Sequence, residues 1–284
     1  MKKKILLLTD FSKIALNAIM YALELYKTDR CDFYVLNTFK TRFNLIEDII
    51  PPQAGESRYD IPKNESLNRL KHLSKLIEFH EDENPYHTFS YLSINKPLLK
   101  AVIETVDLKD IELVIMGTKG ITDNNSSVFG SNAIEIMEKV RNCPVLVIPE
   151  KANRLLPKEI VFPTNFKINY KKRELNYLIE IAKKCNSAIR ILHINNKDGV
   201  DKNLIDNQKR LEEYFQGIKY SIHLLSGVSV SAGIRCFVDS RESNMITFIN
   251  SKHKFFGSIL TQPLVKNIGY KLKVPVLVLH DLNN

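Results

Sequence analysis

The chain repeats itself, and no other feature constrains its fold as much. Ile5-Leu6-Leu7-Leu8-Thr9-Asp10-Phe11 is echoed 155 residues later by Ile160-Val161-Phe162-Pro163-Thr164-Asn165-Phe166. Phe33 to Thr38 is echoed 156 residues later by Ile189 to Ile194. Cys143-Pro144-Val145-Leu146-Val147-Ile148 returns after 131 residues as Val274-Pro275-Val276-Leu277-Val278-Leu279. The echoes keep their order, so the 284 residues read as a tandem duplication with a shorter second copy. Much of the missing length corresponds to Arg42 to Asp60, where Pro51-Pro52 and Gly55 predict a long loop in the first copy.

Within each copy, short β-branched or Leu-rich runs alternate with amphipathic segments. Strands are expected near 3–9, 32–38, 86–93, 111–116 and 144–148, and again near 159–163, 188–194, 219–225, 243–248 and 274–279. Ser12 is placed to cap a first helix with Ala15, Ala18, Ile19 and Ala22 on one face; Leu67, Leu70, Leu73 and Ile77 mark a second. Leu98 to Val106 marks a third, and Ile134, Met137 and Val140 a fourth. Strands that are apolar nearly throughout must be covered on both faces, which predicts a parallel sheet. The expected fold is therefore α/β: two tandem doubly wound domains, 1–150 and 151–284, each a five-stranded parallel sheet flanked by helices. The linker falls near Glu150 to Lys158.

Composition narrows the function classes. With 44% hydrophobic and 26% charged residues the chain is an ordinary globular one. No apolar run approaches the roughly 18 residues of a membrane helix. The apolar start after Lys2-Lys3-Lys4 stops at Thr9-Asp10, too soon for a signal peptide, so the expected compartment is the cytoplasm. Cys31, Cys143, Cys185 and Cys236 are far apart and read as small buried hydrophobes; with no HExxH either, no dedicated metal site is expected. The net charge of +9 raises the question of nucleic acid. Its lysines and arginines are dispersed, however, and a solvated surface is the preferred reading.

Chemistry concentrates in Gly117-Thr118-Lys119-Gly120, followed after nine residues by Gly130-Ser131-Asn132. This stretch leaves the apolar run Leu113 to Met116 and enters a helix, with Ser131 suited to be its N-cap. Glycine allows positive φ and close approach of amides, and the helix start carries the positive end of its dipole, so the segment can cradle phosphates. In an open sheet, ligands bind beyond the carboxyl ends of the strands. If the strands ending at Thr9-Asp10 and Gly117 are neighbours, both motifs face one crevice. Asp10 then either accepts from an adenine or ribose donor or simply caps the first helix.

The assembled pattern resembles the tandem two-domain members of the universal stress protein family over essentially the whole chain. The family's G-2x-G-9x-G-[S/T] motif is matched by Gly117, Gly120, Gly130 and Ser131. The turn Thr9-Asp10-Phe11-Ser12 and the strand Cys143 to Val147 are also family-like. The resemblance implies binding of ATP or AMP, with Mg²⁺ on the phosphates. Asp10 then lies on the adenine side beside Thr9, the main chain at Thr38 meets the base, and Asn132 joins the helix start. It also implies a homodimer or an internal domain pair formed through edge strands. Leu8 departs from the proline common before Thr-Asp.

The second copy departs further. Counting back from Pro275 puts Phe248, Ser251 and Thr261 where the glycines stand and Asn165 where Asp10 stands, so this copy is not expected to bind ATP. Gly257-Ser258 is at most a shifted remnant. The leading reading is a nucleotide-binding regulatory protein with one competent domain and an unidentified protein partner. The alternatives are a slow ATP hydrolase, for which only Asp123 is a nearby acid, and a nucleotide-independent dimeric scaffold pairing through Val276 to Leu279 as an edge strand.

Overall fold

The computed structural model describes residues 2–41, 54–55, 57–82, 84–119, 129–152, 154–167, 170–195, 202–250 and 274–280. In the first half, β1 (Lys3–Leu8), α1 (Lys13–Leu25), β2 (Cys31–Thr38), α2 (Ser57–Glu81), β3 (His87–Ile94), α3 (Leu98–Lys109), β4 (Leu113–Gly117), α4 (Ser131–Lys139) and β5 (Val145–Ile148) alternate strictly. The second half follows with β6 (Glu159–Pro163), α5 (Lys172–Lys184), β7 (Ala188–Asn195), α6 (Lys202–Tyr214), β8 (Tyr220–Ser226), α7 (Val230–Arg241), β9 (Met245–Asn250) and β10 (Val276–His280). All ten strands expected from the apolar runs form, most within a residue or two of the expected ends.

The strands make one sheet, ordered β3-β2-β1-β4-β5-β10-β9-β6-β7-β8. Each half is parallel within itself, and the halves join where β10 runs antiparallel to β5 through Val276↔Val147, Leu277↔Leu146 and Val278↔Val145. Val276 to Leu279 is therefore an interior strand, paired with β5 on one side and β9 on the other, and not the free edge that the scaffold alternative requires. Among the described residues the sheet ends at β3 and β8.

Alternation along the strands sends successive side chains to opposite faces, and each face holds one apolar cluster that runs through both halves. Ile5, Leu7, Phe33, Leu146, Phe162 and Leu277 pack beneath α1, α2 and α5; Leu6, Leu8, Val145, Val161, Val276 and Val278 pack beneath α3, α4 and α7. On the first face α1 and α5 meet across the junction. The Tyr26 and Tyr177 hydroxyls lie 3.3 Å apart, and Lys3–Glu180 and Lys184–Asp29 form ion pairs.

Three local readings change. Ser57 to Asp60 belong to α2, which therefore begins inside the segment expected to be loop. The buried stripe of α2 is Ser66, Leu70, Leu73 and Ile77, whereas Leu67 is 43% exposed. Of the cysteines, Cys31 and Cys143 are buried as expected, Cys185 is half-buried, and Cys236 is exposed.

Candidate functional site

A cleft of about 920 Å³ opens over the carboxyl ends of β1, β2 and β4, between the first turns of α3 and α4 and the amino-terminal part of α2. Thr9 and Asp10 enter it from β1, Thr38 from β2, Gly117 from β4, and Gly130, Ser131 and Asn132 from the start of α4. β1 pairs with both β2 and β4, which is why residues over a hundred positions apart share one wall. Gly120 lies outside the described residues, as do Asp123 and Gly257-Ser258.

The turn after β1 is built by its own side chains. Thr9 Oγ1 accepts from the Phe11 amide at 3.0 Å, Asp10 Oδ1 accepts from the Ser12 amide at 3.0 Å, and Ser12 Oγ caps α1 at the Ala15 amide. Phe11 takes a left-handed φ of 65° to close the turn. One oxygen of Asp10 is thus committed locally, so its capping role is present in the same carboxylate that borders the cleft.

The same turn recurs in the second half. Thr164 Oγ1 and Asn165 Oδ1 accept from the Phe166 and Lys167 amides at 3.0 Å each, and Phe166 has φ 55°. Asparagine serves this geometry as well as aspartate, so the turn alone does not specify a ligand.

The glycines act differently from the expected cradle. Gly117 does not adopt a positive φ. A Cβ there would stand 2.7 Å from Ile14 Cγ2 and 3.2 Å from the Ile14 carbonyl carbon, so this glycine lets β4 pass the first turn of α1. A bulky residue at 117 would therefore disturb α1 and its turn. Gly130, not Ser131, is the N-cap of α4, with φ −72° and ψ 160°. Its amide donates to the Thr118 carbonyl at 2.8 Å, and as a glycine it brings no side chain of its own to cap the helix. Ser131 and Asn132 begin α4 and are exposed. A helix's first amides have no acceptor inside the helix, so a helix start bordering a cleft suits an anion.

Three further groups shape the cleft. Asn37 Nδ2 donates to the Thr9 carbonyl at 2.8 Å, Ser66 Oγ donates to Asn37 Oδ1 at 2.7 Å, and Ser93 Oγ lies 2.7 Å from Ser66 Oγ. This buried polar chain ties α2 and β3 to the turn. Arg69 of α2 lies 4.5 Å over the Phe11 ring and 3.8 Å from Glu65. Lys40, Arg69, Lys100 and Lys119 face Asp10, Glu65 and Glu135 around the cleft, a modest excess of positive charge. Ser66 was obscured in the sequence because a serine in a helical stripe reads as a solvated position. Its spacing of four residues before Leu70 was the available signal.

In the second half, side chains take up the groups of the equivalent turn. His193 Nδ1 bonds the Thr164 carbonyl at 2.9 Å, where Asn37 stands in the first half. Tyr170 Oη lies 3.0 Å from Thr164 Oγ1, and Asn207 donates to the Phe166 carbonyl at 2.7 Å. Strand pairing also corrects the alignment: Gly117↔Ile148 corresponds to Ile249↔Leu279, so the counterpart of Gly117 is Ile249, not Phe248. Ser251 and Thr261 lie outside the described residues.

A model of the universal stress protein family matches residues 1–149. No curated protein matches the chain by sequence. Among solved structures, the chain is similar to a universal stress protein from Archaeoglobus fulgidus DSM 4304, with TM-score 0.67 and 16% identity over 97% of each chain. It is also similar to a protein of unknown function from Pseudomonas aeruginosa PAO1, with TM-score 0.61 and 13% identity over 98% of this chain and 92% of that one. The cytoplasmic domain of a prokaryotic cation chloride cotransporter matches with TM-score 0.54 and 11% identity, over 98% of this chain and 95% of that one. At these identities the likenesses speak for the fold alone. Among the described residues no helix is long and apolar enough to cross a membrane.

Proposed function

Because the chain belongs to the universal stress protein family, we propose that its first half binds an adenine nucleotide, ATP or AMP, and acts as a regulatory binding protein of the cytoplasm. The observation that carries this reading is the convergence of the Thr9-Asp10 turn, Thr38 and the start of α4 on one cleft. Phosphates sit at the amides of α4, and the base lies toward Asp10 and the main chain at Thr38. Thr9 holds the turn, Gly117 sets its distance from β4, and Gly120, Gly130, Ser131 and Asn132 complete the phosphate end. Micromolar affinity takes about 8 kcal/mol. A helix start supplies only about 1–2 kcal/mol of that, so the base slot and the surrounding cations must contribute too. Mg²⁺ rides on the phosphates; among the described residues no cluster of three or more His, Cys, Asp or Glu side chains stands ready to hold it alone.

In this reading residues 1–150 are the nucleotide-binding domain and 151–284 a degenerate partner domain without a nucleotide of its own. The antiparallel pairing of β5 with β10 supports an internal domain pair in place of a homodimer. Denaturing freshly purified protein and identifying released nucleotides by mass spectrometry tests the proposal, together with titration of ATP and AMP onto stripped protein. One adenylate per chain is expected. Two per chain refutes the assignment of the second half. No adenylate, with no ATP-induced rise in Tm, refutes the nucleotide role and leaves a nucleotide-independent scaffold. Steady ATP turnover by the stripped protein would favour a hydrolase.

A further inference from the structure

The second half reaches the nucleotide helix from behind. Asn250, the last residue of β9, is 7% exposed, and its Nδ2 donates to the carbonyls of Met137 at 3.1 Å and Glu138 at 3.4 Å. Both carbonyls belong to the last turn of α4, where a helix has no amides left to satisfy them. At the C-cap the Val140 amide returns to Ile136, leaving Met137 and Glu138 for a donor from elsewhere. Arg141, just beyond the helix, donates from Nη2 to the Asn250 carbonyl at 3.0 Å, so the same residue is gripped on both its side chain and its main chain. These contacts cross between the halves over more than a hundred residues of sequence.

α4 has only nine residues, and the carbonyls held by Asn250 lie about 9–11 Å along the helix axis from Ser131. A helix this short moves as a rigid rod, so what fixes its carboxyl end also fixes where its first amides point. We propose that Asn250 is a positioning residue for the phosphate site: the half that carries no glycine motif sets the angle of the helix through which the other half holds phosphate. This rests on the nucleotide reading above. It also gives the second half a role in the site without a ligand of its own. Asn250 acts on the phosphate end only, because the turn carrying Asp10 follows β1 and is held at the Thr9 carbonyl by the Asn37–Ser66 chain, and Thr38 ends β2 beside Asn37.

The test compares the affinities of full-length wild type, Asn250→Ala and the isosteric Asn250→Asp for ATP and for adenosine. Amide hydrogen exchange across residues 131–139 is followed in the nucleotide-free proteins. Losing the two donated bonds is expected to weaken ATP binding roughly fivefold, within the usual range of coupling between sites. Adenosine, which has no phosphate, keeps its wild-type affinity, and exchange in α4 quickens. Asn250→Asp, which sets a carboxylate against two carbonyls, weakens ATP at least as much as Asn250→Ala and guards against a cavity effect. Unchanged ATP affinity in both variants overturns the proposal, and so does an equal loss for ATP and adenosine, which marks general destabilisation. If wild type binds ATP but the variants match it, only the positioning role fails. A wild type that binds no adenylate overturns both this and the parent reading.

Discussion

Replacing Gly117 by alanine puts the packing of the cleft floor to a direct test. The new Cβ meets Ile14 Cγ2 at 2.7 Å, which a side-chain adjustment can relieve, but also the Ile14 carbonyl carbon at 3.2 Å and oxygen at 3.3 Å, which only a shift of the first turn of α1 can relieve. Overpacking of this kind costs about 1–3 kcal/mol. Because Gly117 is not at positive φ, alanine also gains about 0.4–1 kcal/mol from the restricted unfolded chain. The net expectation is a loss of about 0.5–2 kcal/mol, with Tm falling by roughly 2–4 °C per kcal/mol. Urea unfolding of wild type, Gly117→Ala, Ile14→Ala and the double variant measures it. Removing Ile14 Cγ2 frees the nearest contact, so the double variant is expected to lose less than the sum of the two single losses. ATP affinity should fall in Gly117→Ala, because Asp10 and Ser12 sit on the turn that must move. A Gly117→Ala protein as stable as wild type, with strictly additive effects, would refute the packing role given to this glycine.

Ser66→Ala removes the middle of the buried chain between Ser93 and Asn37 and is expected to cost about 1–3 kcal/mol; urea unfolding and ATP titration should both register it. Glu159 is governed by competing effects: burial pushes its carboxyl up, but hydrogen bonds from Arg241, Arg190 and Ser243 outweigh it and hold it down from 4.5 to about 2. A depressed carboxylate contributes stability above pH 4.5 and loses it as pH falls toward 2. Circular dichroism melts across that window should show a steeper loss in wild type than in Glu159→Gln, and parallel slopes would exclude this residue as the cause. Asn165→Asp should leave the nucleotide stoichiometry at one per chain by calorimetry, because Ile249, Tyr170 and His193, not a missing carboxylate, distinguish that half.

The interior strands were readable from sequence because they are covered on both faces, and burial on both faces writes a continuous apolar run, whereas β3 and β8, at the ends of the sheet, are only partly buried. The glycine motif was readable because a strand that stops at Gly117 and a helix that starts after Gly130 leave their mark at the chain level. What burial patterns cannot record is which element does the covering. Val276 to Leu279 reads identically as a free edge or as a strand enclosed by β5 and β9, and only assembly made it the latter.

By itself, then, the sequence determined a duplicated α/β chain with its ligand-type motif in the first copy. The tertiary structure decided the rest: one continuous sheet, Gly117 as a spacer against Ile14, Ser66 as a buried link in the cleft wall, and Asn250 behind α4. The physical reason is that periodicity reports whether a side chain is buried. The contact that buries it is supplied by residues far away in the chain, through distances and directions that no local pattern encodes.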